Sequence, residues 1–205
     1  NPLEGISGAA SLLRRGRVSG ENFKDCLEII EKESQRLNKL LSGFLEFARP
    51  RAPRYQPVEI ESVIESVRAL VAQSPQGQAT EISLEIQPGM PEVECDPEQL
   101  KQVLLNLLLN ALQASPPESP VQVRADIAGA AVSIAVRDSG PGVPPAHHDK
   151  IFEPFFTTRD NGSGLGLAIA ANIIRQHGGS LVAEHNPDRG MTFRVDLPIR
   201  REPAR

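Results

Sequence analysis

Between residues 138 and 167 the chain reads D-S-G-P-G-V, then I-F-E-P-F-F-T-T-R, then D-N-G-S-G-L-G-L. Gly162, Gly164 and Gly166 stand at the entry to a run with helical spacing, 165–176. Glycine lets backbone N–H groups approach a phosphate closely, and a helix starting there points its positive dipole end at the anion. No Lys-Ser or Lys-Thr follows the glycines, so the loop is not a P-loop; Leu167 and the loop before the motif exclude the dinucleotide fingerprint. The plain alternative is a structural helix entry. Asp138 ends an alternating apolar run (Val132, Ile134, Val136) just before Ser-Gly-Pro-Gly. A carboxylate there either forms a turn or, partly buried, accepts a hydrogen bond from the exocyclic amine of adenine, with Gly140 and Gly142 leaving room for the base. Further upstream, the segment 100–114 is almost wholly apolar, so a helix there is buried. Gln99, Gln102, Asn106, Asn110 and Gln113 recur on it at three- and four-residue steps and form one polar stripe. Either these amides bond to backbone or to each other, or Asn110, with Asn106 beside it, supplies an oxygen to a Mg²⁺ that carries phosphates.

Five stretches carry a resemblance to a known family. N-L-L-L-N-A-L-Q-A (106–114), D-S-G-P-G (138–142), F-E-P-F-F-T-T (152–158), G-S-G-L-G-L (162–167) and G-M-T-F (190–193) resemble the N, G1, F, G2 and G3 boxes of sensor histidine kinases in order and spacing. The resemblance implies an ATP site: Asp138 on adenine, Asn110 on Mg²⁺, Phe152 and Phe155 anchoring a lid, and the glycines of 162–166 as its hinge. Nucleotide contact by Asn106, Gly140, Gly142, Ile151, Thr157, Thr158 and Leu165 follows from the same match. Arg159 stands where the family often has Lys and is placed to reach a phosphate. Gln113 replaces a residue that is often basic or Tyr, and Met191 stands where Thr or Ser is common. Asn1-Pro2-Leu3 resembles the end of the family's H-box. By that match the phosphate-accepting histidine lies four residues before Asn1, outside this chain, and Asn1 assists hydrolysis of the phosphorylated response regulator. The implied partners are a second copy of the chain and a response regulator receiver domain.

Two other function classes share the nucleotide fold. ATPase clamps resembling gyrase, MutL and Hsp90 carry a Glu as general base four residues before the Mg²⁺-binding Asn; here that position is Asn106, and an amide is a poor base. A degenerate module that binds nucleotide without catalysis is the third reading, and the intact boxes weigh against it.

The elements that must position these groups are legible in part. Segment 1–17 has apolar residues at Leu3, Ile6, Ala10 and Leu13, and a Gly/Ser turn at 16–20 follows. Segment 21–49 is a long helix with Phe23, Ile30, Leu37 and Phe44 seven apart and Leu27, Ser34, Leu41 and Ala48 in the partner position. Two such helices cannot bury both stripes alone, so they are expected to form a four-helix bundle with a second copy; packing on their own globular domain is the alternative. Pro50-Arg51-Ala52-Pro53 stops the helix. The expected organisation is therefore α+β: an antiparallel hairpin, 1–50; a hinge-like linker, 51–54; an α/β sandwich of a mixed sheet covered on one face by helices, 55–199; and a tail, 200–205. In the second domain we expect strands at 58–60, 81–87, 121–127, 131–138, 180–185 and 191–197, another short strand before residue 97, and helices at 61–73, 97–114 and 165–176, the long one opened by Asp96 as N-cap, Pro97, and Gln99 closing a capping box.

With 22 basic and 26 acidic residues the formal charge is −4, both signs mixed, which argues against a nucleic-acid surface. Two isolated cysteines, Cys26 and Cys95, make a disulfide scaffold or a metal site a poor reading and a reducing, cytoplasmic setting the expectation. No apolar run approaches the roughly 20 residues that span a bilayer. His147, His148, His177 and His185 read as structural or solvated, His177 as a helix C-terminal residue.

Overall fold

A buried apolar face repeating every three to four residues needs a partner surface, and the chain meets that need twice, in two compact units, 1–50 and 51–205. In the computed structural model the described residues are 1–15, 19–48, 51–117, 119–159 and 162–200. The expected turn at 16–20, the helix end at 49 and the tail fall wholly or partly outside them.

The first unit is a pair of packed helices, α1 (Pro2–Arg14) and α2 (Glu21–Ala48). Asn1 caps α1, its side-chain oxygen accepting from the Leu3 N–H at 3.2 Å, and Pro2 occupies the first helical position, where a missing N–H costs nothing. Ala9 and Cys26 are the buried apolar residues between the helices. Leu12, Phe23, Leu27, Leu41, Phe44 and Leu45 stay 46–58% exposed within the chain. One hairpin thus covers only part of its own apolar stripe.

In the second unit β1 (Gln56–Val58) and β3 (Val93–Cys95) form a two-stranded antiparallel pair. The main sheet has five strands in the order β2-β4-β5-β7-β6, with β6 spanning Ser180–His185, β2 (Ile82–Ile86) parallel to β4 (Val121–Ala128) and all other neighbours antiparallel. Along β5 (Ala131–Arg137) and β7 (Met191–Pro198) every second residue is buried, the mark of a sheet with one covered face. The cover is α3 (Ile60–Val71), α5 (Pro97–Ala114) and α6 (Gly166–Gln176), with α5 packed between the other two. Leu100, Leu104, Leu107 and Leu108 are at most 1% exposed, which explains why α5 is apolar nearly all round.

The mixed sheet under helices agrees with the sequence reading, and several details differ from it. The first strand lies at 56–58 rather than 58–60, because Ile60 is already the fully buried first residue of α3. With β3 it forms a separate ribbon instead of extending the main sheet. A four-residue helix, α4 (Pro75–Gln78), occupies the expected loop; Ser74 caps it, but four residues show no periodicity. Asp96 caps α5 as expected, accepting from the N–H groups of Glu98 and Gln99 at 3.0 and 3.2 Å. The reciprocal half of the capping box is not made. The Gln99 amide donates to the Arg51 carbonyl, and the Asp96 N–H donates instead to His177 Nε2 at 3.0 Å. His177 Nδ1 lies 2.9 Å from the Ile173 carbonyl, so the ring carries its hydrogen on Nδ1 and ties the end of α6 to the start of α5. A neutral imidazole, not a cation on the helix dipole, does this work.

Candidate functional site

Helices α5 and α6, the loops beyond β5 and the start of β7 border a cleft of about 530 Å³. Asn106, Asn110 and Gln113 enter it from α5, Asp138, Pro141 and Gly142 from the loop after β5, Thr157, Thr158, Arg159, Gly162 and Gly164 from the segment before α6, and Gly166 from the first turn of α6. A volume of this order suits a ligand of nucleotide size.

Asp138 is 2% exposed. Its Oδ1 accepts from the N–H groups of Gly140 and Met191 at 2.9 and 3.1 Å, so the carboxylate plane is held and Oδ2 is left to the cleft. Burial pushes its pKa up, while the two N–H bonds and the Arg159 charge pull the other way. Such a group is a single fixed acceptor for an N–H donor of a ligand.

At the other wall, Asn106 Nδ2 donates to the Gly166 carbonyl at 3.1 Å, which pins the start of α6 to α5. Arg159 reaches across the cleft: Nη1 donates to Gln113 Oε1 at 2.8 Å and Nη2 to the Asn110 carbonyl at 3.2 Å. Burial lowers its pKa and the Asp138 charge raises it. Gln113 is thus the neutral acceptor for a cation carried by the facing loop, and a basic residue at 113 would set two cations side by side.

Gly164 shapes that loop. It has φ +66°, and a Cβ there would lie 2.4 Å from the Phe155 carbonyl carbon. Its carbonyl accepts the N–H of Phe155, a non-glycine residue held at φ +67°. Gly164→Ala is therefore expected to break this junction and lower nucleotide affinity about tenfold or more, measured by calorimetric titration. Unchanged affinity would show that the junction does not shape the site.

Residues 95–201 match the family model described as histidine kinase-, DNA gyrase B- and HSP90-like ATPase, and residues 1–53 match the His kinase A (phospho-acceptor) domain. The chain belongs to the sensor histidine kinases. It is similar to sensor histidine kinase ZraS of Escherichia coli (strain K12), 37% identical over 199 residues, covering 97% of this chain and 43% of that protein. The chain therefore spans less than half the length of this relative. Its fold is similar to full-length ShkA in complex with AMPPNP (TM-score 0.75, 30% identity, 99% of this chain and 44% of that one). It is also similar to histidine kinase ThkA in complex with response regulator protein TrrA (TM-score 0.83, 29% identity, 98% and 58%).

Within this kinase core most of the residues singled out from the sequence converge. Asn106, Asn110, Gln113, Asp138, Gly142, Ile151, Thr157, Thr158, Arg159, Gly162, Gly164 and Gly166 all line the cleft. Gly140, Phe155 and Leu165 are not among its lining residues. A Cβ on Gly140 would meet the Ala114 carbonyl at 2.8 Å and Asp138 Oδ1 at 3.0 Å, so this glycine makes room for the end of α5 and for the carboxylate. Phe155 is 56% exposed, and the neighbouring Phe156 lines the cleft instead, its ring edge-on to His147. Leu165 is buried beneath the loop. Asn1 belongs to the other unit, where it caps α1. The sequence reading did not assign Leu109 or Val143 to the lining, and it quoted Met191 and Phe193 within 190–193 without giving them a contact; the alternation of β7, which aims both inward, was the available signal for these two.

No group of three or more His, Cys, Asp or Glu side chains able to hold a metal occurs among the described residues. The Asn110 amide, with the Asn106 side chain turned to Gly166, fits a Mg²⁺ that keeps its waters and is carried largely by phosphates. Burial, then the Asp96 charge, pushes the Cys95 thiol up to about 12, which removes it as a nucleophile. No helix among the described residues is long and apolar enough to cross a membrane.

Proposed function

We propose that this chain is the core that binds ATP with Mg²⁺ and passes the γ-phosphoryl group to a histidine on the dimerisation bundle, and from there to an aspartate of a response regulator receiver domain. The observation that carries this reading is the cleft itself: α5 amides, a buried strand-end carboxylate, a loop cation and a glycine-marked helix start face one volume. In this reading Asp138 Oδ2 accepts the adenine amine. Asn110 offers its amide oxygen to Mg²⁺, which neutralises the phosphates when bound, and Asn106 holds the start of α6 so that its N–H groups face the same anion. Arg159 exchanges Gln113 for a phosphate oxygen. The imidazole nitrogen forms a bond to the γ-phosphorus as the bond to the β,γ-bridging oxygen breaks and ADP leaves. The protein's part is positioning and charge, with little covalent chemistry of its own.

The half-exposed Phe23, Leu27, Leu41 and Phe44 are proposed to be covered by a second copy of the hairpin, in a homodimer on the cytoplasmic side. Asn1 is proposed to orient the water that dephosphorylates the regulator, and the segment at 50–53 to act as the hinge that brings nucleotide to histidine. The test uses the chain extended upstream through its H-box, incubated with γ-labelled ATP and Mg²⁺. Acid-labile, base-stable label on the extended protein is expected. Steady release of free phosphate without labelled protein, with phosphatase turnover excluded, would point to an ATPase clamp instead.

A further inference from the structure

The connection between β6 (Ser180–His185) and β7 reads Asn-Pro-Asp-Arg-Gly, and its sequence looks like nothing more than a hairpin turn. Its contacts converge on the Asp138 end of the cleft. Asn186 Nδ2 donates to the main-chain carbonyls of Asp138 and Arg189, both at 2.9 Å, while its Oδ1 accepts from the Thr192 hydroxyl at 2.6 Å. Arg189 Nε donates to the Gly140 carbonyl at 3.1 Å. Asp188 pairs with Arg137, the residue just before Asp138.

We propose that Asn186 and Arg189 are positioning residues that set the site's selectivity for adenine over guanine; this rests on the reading that Asp138 accepts the adenine amine. The side chain of Asp138 is already fixed by two N–H bonds to Oδ1, and its own N–H donates to the Met191 carbonyl at 2.8 Å, so its remaining freedom is at the carbonyl side of its backbone. Asn186 removes that freedom at the Asp138 carbonyl. Arg189 removes it at Gly140, whose N–H is one of the two donors to the carboxylate. Adenine presents an amine where guanine presents a carbonyl, and a rigid acceptor bonds the first and repels the second. An acceptor free to move by a fraction of an ångström bonds the amine less well and avoids the carbonyl more easily, so selectivity falls from both sides. The triphosphate is held by other elements and does not feel the change.

The test compares ATP, GTP and inorganic tripolyphosphate, each with Mg²⁺, by calorimetric titration of the chain and its Asn186→Ala, Arg189→Ala, Arg189→Lys and Asp138→Asn variants, with thermal midpoints recorded for all. For Asn186→Ala and Arg189→Ala the ATP dissociation constant is expected to rise about tenfold and the ATP:GTP preference to fall by a similar factor, about the effect of one hydrogen bond. Tripolyphosphate binding is expected to stay within about twofold, and Arg189→Lys, which retains a donor, to keep most of the preference. Equal losses for all three ligands, or no loss for any, would overturn the proposal. If Asn186→Ala does not fold, the Arg189 pair decides, because that side chain is exposed. If instead Asp138→Asn leaves the ATP:GTP preference untouched, the adenine reading itself fails, whatever the loop variants do.

Discussion

Asp138→Asn is expected to weaken ATP binding about a hundredfold, the cost of losing one charge-assisted hydrogen bond in a buried site. The asparagine oxygen can still accept from Gly140 and Met191, as Oδ1 does now, so the loop keeps its shape. The amide NH₂ then faces the cleft and sets donor against donor at the adenine amine. Stability is expected to move the other way. Burial raises the Asp138 pKa, so its contribution to stability is fully present below the unfolded value of about 3.9 and is lost as pH rises through the raised folded value. At pH 7 the ligand-free variant, with nothing to ionise there, should melt no lower than the parent. ATP affinity of the parent should fall as pH drops through the raised value, because only the carboxylate accepts from the amine, and this pH limb should vanish in Asp138→Asn. Titration and thermal melting across pH check both arms; an ATP affinity that survives the substitution would remove the adenine assignment.

Asn110→Ala is expected to lower phosphoryl transfer about a hundredfold in the chain extended to include the acceptor histidine, and to raise the Mg²⁺ concentration for half-maximal rate by ten- to a hundredfold, roughly the scale seen when a group that tunes a metal site is lost. Mg²⁺ takes few protein ligands, so removal of one amide oxygen is felt strongly. Nucleotide binding measured in chelator should change little, since Asp138 and the glycine loop remain. An unaltered Mg²⁺ dependence would move the metal away from Asn110.

The neighbouring amides separate by geometry. Asn106 and Asn110 lie one turn apart on the same stripe and look alike in the sequence, yet Asn106 is spent on the Gly166 carbonyl and Gln113 on Arg159. That assignment also answers the clamp reading: a side chain that anchors α6 is neither a base nor placed to become one. Gln113, a departure from the family pattern, proves compatible with it once Arg159 is seen to bring the cation from the opposite wall.

By itself the sequence determined what depends on neighbours along the chain. The cap at Asp96, the proline after it, the apolar run of α5 with its polar stripe, the alternating strands β4, β5 and β7, and the glycine-marked entry to α6 are all local patterns, each enforced by backbone sterics or by a period of two or 3.6 residues. Together with the resemblance to sensor histidine kinases, these were enough to name the Asn, Asp and Gly residues as candidates: the amides by their stripe on α5, the carboxylate by its place at a strand end, and Gly164 by a positive φ that few other residues adopt. Only the tertiary structure decided which of Phe155 and Phe156 faces the cleft, since adjacent aromatics in irregular backbone have no period and the choice follows from the approach of Gly164 to Phe155. It also decided that β1 and β3 form their own ribbon, that the Gln99 amide turns to Arg51 and His177 to Asp96, and that Asn186 and Arg189 brace the Asp138 loop from 48 and 49 residues away. Such bonds join groups whose separation along the chain carries no periodic signal, and those of Asn186 and Arg189 exist only after sheet register has brought β7 beside β5.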